Sequence, residues 1–298
     1  MNKAKSPHRA QALLALLSAV FFWGTSAVFL RTTALSLAPE NALSLRYIVL
    51  VPLLAGGLFV SGRWQIARVH WPSLALTSSG MLGSAWFTIQ GFARVAAGLG
   101  TVIQMVEPII IALLAFVFIG EGLTRRLWVG LGIAIGGGLI IFWPDLNAAT
   151  QHPLNGWGVA ALLCASTSWA AYTIGAKPLL AVYSGFTITA WSTLIAAPVV
   201  FLLASKPYSE LLFHTATSSW MEIFYLAVFN SILGNVLWTF GTRHIAGAAV
   251  GSFLYVLPLF AILAGYLWLG EAVTPSLVVG GLIVLAGVAL AQSRSHGV

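Results

Sequence analysis

Apolar residues run through this chain in long blocks, separated by short clusters of charge, proline and glycine. Neither the two-residue alternation of a half-buried strand nor the narrow apolar stripe of a surface helix dominates. The blocks are hydrophobic on all sides for about 20 residues at a time, the length a helix needs to cross about 30 Å of hydrocarbon. Reading between charges and turn residues gives ten of them, at 10–30, 39–61, 72–92, 96–119, 126–143, 155–176, 185–204, 219–241, 245–269 and 276–292. The expectation is an all-α integral membrane protein of ten transmembrane helices joined by short connections.

Composition strengthens this reading and closes others. Only 7% of the 298 residues are charged, against roughly a quarter in soluble domains. The net charge of +7 comes from scattered residues, with no basic stripe interleaved with aromatics, so nucleic acid is not an expected partner. The single cysteine, Cys164, excludes an intramolecular disulfide and a cysteine metal cluster. The first block lacks a small-residue cleavage site after a short core and reads as a retained helix, not a signal peptide.

No catalytic constellation is visible either. Asp145 is the sole aspartate, the six histidines fall in tails or near block ends, and no Gly-x-Ser-x-Gly elbow or phosphate loop occurs. The chain is therefore not expected to be an enzyme, to hold a metal or cofactor, or to spend ATP.

Lysine and arginine placement sets an orientation. With the N-terminus in the cytoplasm, Lys3, Lys5, Arg9, Arg63, Arg68, Arg125, Arg126, Lys177, Arg243 and Arg294 lie inside. Arg31, Arg94 and Lys206 lie outside, and Arg46 falls within a block. Both termini are expected on the cytoplasmic side of the cell inner membrane.

The chain also repeats itself. Gly91 to Ile133 aligns with Gly241 to Ile283 without gaps, pairing Pro108 with Pro258, Gly120-Glu121 with Gly270-Glu271 and Thr124 with Thr274. Upstream, Leu16-Leu17, Ala19 and Trp23 match Leu162-Leu163, Ala165 and Trp169. Five blocks per half is an odd number, so the second copy, 148–298, enters the membrane from the side opposite to the first, 1–147. Inverted repeats are a signature of secondary transporters, because exchanging the conformations of the halves moves the opening from one face to the other.

The Glu107-Pro108 step, the Gly120-Glu121-x-x-Thr124 hairpin, the Trp23-Gly24 and Arg46-Tyr47 pairs and their second-half counterparts resemble the EamA-type repeat of the drug/metabolite transporter superfamily. The resemblance covers about 10 to 292. It implies a ten-helix, two-repeat carrier with a central cavity, typically moving amino acids or other small metabolites, often outward. The chain departs from exact repetition at Leu257-Pro258, where the first half has Glu107-Pro108, so any role of that acid is not duplicated.

Glu107 is the sharpest single residue. A charge near the bilayer centre costs several kcal/mol and is usually retained for function. It reads either as a proton- or cation-binding group or as a buried partner for Arg46, two readings that coexist if the pair breaks during transport. Gly100, Thr101, Gln104, Glu107 and Pro108 share one arc of the fourth block, and Pro108 frees the carbonyl of Gln104. Ser79, Gly83, Trp86 and Gln90 form a stripe on the third block. Asn230, Gly234 and Trp238, with Asn235 beside them, form another on the eighth. Trp169 shares a face with Ser166 and Thr173, with Tyr172 beside it, and Tyr255 shares a face with Ser252.

The solute site is accordingly expected among Trp23, Arg46, Trp86, Gln90, Gln104, Trp169, Tyr172, Asn230, Asn235, Trp238 and Tyr255, with Glu107 coupling transport to protons. Trp23 with Trp86, and Trp169 with Trp238, suggest two symmetry-related gates. The pairs Gly132/Gly136 and Gly247/Gly251 are expected to let helices approach closely. Three functions stand open: an exporter of amino acids or related metabolites, an efflux carrier for lipophilic cations or drugs, and a non-transporting scaffold.

Overall fold

Inside hydrocarbon no water satisfies a backbone N–H or C=O, so apolar blocks must close their own hydrogen bonds as helices. The computed structural model describes residues 7–95, 100, 103–120, 122, 124–141, 143, 155–245, 247–269 and 275–292, and every regular element among them is helical. α1 (Pro7–Leu37) and α2 (Pro39–Ser61) are followed by α3 (Trp71–Phe92), α4 (Glu107–Ile119) and α5 (Arg125–Ile141). α6 (Gly156–Leu180), α7 (Gly185–Leu202), α8 (Thr217–His244) and α10 (Pro275–Gln292) lie in the second half. Between α8 and α10, α9 comprises Gly247–Gly251, a 3₁₀ stretch Ser252–Val256 and Leu257–Leu269. Six described segments are long and apolar enough to cross a bilayer: Arg9–Leu37, Pro39–Ser61, Gly156–Leu180, Gly185–Leu202, Thr217–His244 and Ala249–Trp268.

Local chemistry fixes the ends. A single residue, Ala38 at φ 65°, links α1 to α2. The Asn41 side chain accepts from Ser205 N at 3.0 Å, tying this turn to the connection after α7. Gly62 and Gly120, both left-handed, end α2 and α4. Thr124 caps α5, its hydroxyl accepting from Leu127 N at 3.2 Å. Asn155 and Ser184 cap α6 and α7 in the same way. The matching hairpin residues Glu121, Gly270, Glu271 and Thr274 lie outside the described residues, as does Thr101.

Three helices are interrupted where the site forms. Pro108 does more than kink the fourth block. The chain turns at Met105–Val106 and a new helix starts at Glu107, with proline where its missing N–H costs nothing. Pro258 stands in the corresponding place in α9, one residue after the 3₁₀ stretch gives way to α-helix. In α8, Leu226–Gly234 is wound as a π-helix, a form that concentrates at functional sites.

Packing brings α3 against α6, α5 against α10, and α1 against α8 and α9, while α4 rests on α6 and on the start of α9. Glycines permit the two tightest crossings. A Cβ on Gly80 would stand 2.6 Å from Tyr172 N, and one on Gly287 would stand 2.6 Å from Ala134 N. The expectation for Gly132/Gly136 is corrected. Both face open space, and Gly130 and Gly137, two turns apart on the other face of α5, meet α10 instead. Gly251 does make a close approach, with its Cβ position 3.2 Å from Pro108 Cα. Trp64, Trp71, Trp128, Trp143, Trp157 and Trp268, near the helix ends, are exposed as interfacial anchors would be, whereas Trp220 is half-buried beside Leu45 and Ile223.

Candidate functional site

The interruptions in α4, α8 and α9 converge on one cavity of about 160 Å³. It is bounded by α1, α2, α3, the 104–108 step, α6, α7, α8 and α9. Its lining positions fall toward the end of the bundle that carries the α1–α2 turn: Leu30 on α1, Arg46 on α2, Thr88 and Phe92 on α3.

Aromatic rings close the other side. Trp23 meets Trp169 edge-to-face at 4.9 Å and Trp238 at 5.1 Å, and Tyr172 stacks on Trp169 at 4.8 Å. Trp23 donates its indole N–H to the Asn230 carbonyl at 2.9 Å, so the π-helical stretch and α1 hold each other. Gly234 makes this possible, since a Cβ there would lie 2.4 Å from the Trp23 indole nitrogen. Trp238, fully buried, donates to Thr173 Oγ1 at 3.3 Å and supports the floor from below.

Two opposite charges face this space. Glu107, 8% exposed, begins α4; the Ser166 hydroxyl stands beside it without closing a hydrogen bond, and Tyr255 is a further neighbour. Arg46 projects from α2 with its Nε enclosed and unpartnered. Among the described residues neither group makes an ion pair, with each other or with anything else. An enclosed charge without a partner is expensive and is normally compensated. The Trp169 Nε1 and Tyr255 hydroxyl are likewise unpartnered beside the cavity. The arrangement offers an acceptor charge, a donor charge, free polar atoms and aromatic faces within one small volume. Replacing Arg46 by Gln removes the donor charge and is expected to weaken binding of a carboxylate in the cavity about tenfold or more, the effect of losing ~1.4 kcal/mol or more of charge-assisted hydrogen bonding. Equilibrium binding of a carboxylate probe to both forms measures it, and unchanged affinity would remove Arg46 from the site.

Of the residues singled out in the sequence, Trp23, Arg46, Gln104, Glu107, Trp169, Asn230, Asn235 and Tyr255 line the cavity together. Tyr172 and Trp238 do not; they form the layer behind Trp169 and Trp23. Trp86 and Gln90 are elsewhere. Trp86 packs against the core cluster that α2 and α7 share, with Tyr47, Leu50, Ala190 and Ala197 among its members, and Gln90 accepts from Arg94 at 2.6 Å. The Ser79/Gly83/Trp86/Gln90 stripe therefore marks the wrong face of α3, because Gly83 sits against Ser168 of α6 and Ser79 is exposed. The cavity face is Met81, Ser84, Ala85, Thr88 and Phe92, whose three- and four-residue spacing was visible in the sequence but carries no amide. Two tryptophan gates are not found either. Trp23, Trp169 and Trp238 make one cluster, and Trp86 belongs to another. Thr193 and Ser231 also line the site and gave no sequence signal beyond isolated hydroxyls. Among the described residues no group of histidine, cysteine or acidic side chains is placed to hold a metal ion.

Known proteins share this arrangement of helices. A crystal structure superposes with a TM-score of 0.76 over 95% of this chain and 98% of its own, at 18% sequence identity, a likeness of fold. A Streptantibioticus cattleyicolor protein described as "Probable terminal-alkyne amino-acid exporter" is 31% identical over 76% of this chain and 74% of its own length. The Escherichia coli K12 protein described as "Uncharacterized inner membrane transporter YedA" is 28% identical over 86% of this chain and 84% of its own. The EamA-like transporter family matches over residues 10–143 and again over 156–292, nearly the whole sequence. With its apolar helices gathered around one charged cavity, the chain is a multi-pass membrane protein and belongs to the EamA-like transporter family.

Proposed function

We propose that this chain is a secondary carrier of the cell inner membrane that exports amino acids or closely related zwitterionic metabolites by alternating access. The observation that carries the reading is the pair of opposite charges, Arg46 and Glu107, lining one cavity without an ion pair between them. An α-amino acid presents a carboxylate and an ammonium together, so it matches both charges where a simple cation matches one. The name of the Streptantibioticus relative points the same way. In this mechanism Glu107 holds the solute's ammonium or a proton, never both, which couples solute movement outward to proton movement inward.

Alternating access is supported by the twofold family match and by the proline breaks at Pro108 and Pro258, which fit ten spans in two inverted halves, 1–147 and 148–298. With cations concentrated inside, the cavity is offset toward the outer face and the Trp23/Trp169/Trp238 cluster closes the cytoplasmic side. A tag after Val298 should then be labelled only from the cytoplasm, and periplasmic labelling would overturn ten spans entered from a cytoplasmic N-terminus. The decisive experiment loads proteoliposomes with a panel of amino acids, with and without a pH gradient. Counterflow of one or more amino acids, accelerated by the gradient, is the expected result. The second reading, efflux of lipophilic cations, draws on Glu107 and the aromatic floor; Arg46 in the same cavity counts against it, and cation flux without amino-acid flux would establish it. Absence of flux for every solute tested would favour a scaffold.

A further inference from the structure

A second concavity, of about 530 Å³, lies at the opposite end of the bundle from the α1–α2 turn. It is walled by the connection after α2, the turn between α6 and α7 and the last turn of α8, with Arg63, Gln65, Tyr183, Ser184 and Arg243 on its surface. The walls are fixed in place. Gly62, left-handed, turns the chain back at the end of α2. The Tyr183 hydroxyl then accepts from Ala67 N at 2.9 Å and bonds His70 Nδ1 at 3.0 Å, fastening that connection to the α6–α7 turn.

Two guanidiniums from different helix ends share this space, and neither has an ion pair or hydrogen bond among the described residues. No acidic side chain lines it. An adjoining concavity of about 420 Å³ shares Arg243 and adds Lys177 and His244, again without an acid. Arg63 from the end of α2 and Arg243 from the end of α8 thus face one recess that no acidic side chain lines. Immediately before Gly62, Phe59 and Val60 are 76% and 88% exposed, an apolar flank beside the charged recess. Trp64 and Trp71, exposed on the connection between α2 and α3, are residues of the kind that sit at a membrane interface.

We propose that this recess binds a phosphate-bearing anion, and that its source is the headgroup of an anionic glycerophospholipid in the adjacent leaflet. Two guanidiniums match phosphate oxygens in a way that single lysines do not, basic recesses between helix ends are suited to such headgroups, and the exposed flank of α2 offers a surface for the acyl chain. The site is separate from the transport cavity and does not depend on which solute is carried.

The test uses the purified full-length chain in detergent and three probes: dioleoylphosphatidylglycerol, dioleoylphosphatidylcholine and inorganic phosphate at matched ionic strength. Thermal unfolding and retained lipid in native mass spectrometry are the readouts. Phosphatidylglycerol should stabilise and remain bound while phosphatidylcholine does not, and R63Q/R243Q should weaken the effect about tenfold or more. Arg125→Gln, which removes a cation outside the recess, should leave it intact. Equal binding of the two lipids, or wild-type binding by the double variant, would overturn the site. An equal effect of inorganic phosphate would overturn the lipid source. Elution and unliganded unfolding temperature show whether the double variant folds, and the single variants R63Q and R243Q carry the test if it does not.

Discussion

Glu107→Gln is expected to abolish flux driven by a pH gradient while the protein remains folded. The substitution keeps the volume of the side chain and removes the charge, so packing at the start of α4 is preserved. Glu107 has no ion pair to lose, and a neutral amide relieves an enclosed charge. Transport should suffer on two counts. In the proposed mechanism the carboxylate no longer takes a proton, so the gradient has nothing to act on, and the ammonium of an amino-acid solute loses its counter-charge. A loss of ~2 kcal/mol in that contact would raise half-saturation roughly thirty-fold in gradient-free exchange. Proteoliposome uptake with and without an imposed gradient separates the two effects. Gradient-driven transport at the wild-type rate in this variant would remove Glu107 from the coupling mechanism.

The largest expected effect on stability is at Gly80. A Cβ there would lie 2.6 Å from Tyr172 N, 2.7 Å from Ser168 O and 2.9 Å from Tyr172 Cα, so backbone of α6 must retreat to admit it. Overpacking of this kind costs about 1–3 kcal/mol and more where nothing flexible yields. Gly80→Val should therefore destabilise by about 3 kcal/mol. It should also weaken solute binding, because Tyr172 carries the stacked Trp169 of the cavity floor. Gly132→Val is the matched control: open space surrounds that position, and no loss is expected. Thermal unfolding of both variants in one detergent decides it, and equal midpoints for Gly80→Val and wild type would mean that the α3–α6 crossing tolerates separation.

The extent of the helices was legible because lipid leaves the backbone one way to satisfy itself. α2 starts and ends where the apolar block does, and α7 ends within two residues of the expected position. Legible too were the charges at Arg46 and Glu107, since a charge amid 20 apolar residues stands out without any structure. What stayed hidden was helix phase. Amides and tryptophans drew attention to one side of α3, yet Gly80 and Gly83 turn that region toward α6, and Ser84 and Thr88 face the cavity. The break at Glu107 was also only half visible. Proline signals a lost hydrogen bond, but whether the helix bends or restarts depends on what packs against it, here the close approach of Gly251 to Pro108. Lone hydroxyls such as Thr193 and Ser231 have no signature at all, because serine and threonine serve equally well along any membrane helix.

The one-residue link between α1 and α2 has a mechanical consequence. Leu37 and Pro39 are two peptide steps apart, so their Cα atoms are never more than about 7 Å from each other. Both helices line the cavity near that end, and the Asn41 contact to Ser205 fastens the same corner to the segment after α7. That corner holds the two helix ends together, so they cannot part there. An opening at this end of the molecule therefore cannot form between α1 and α2 at their shared corner.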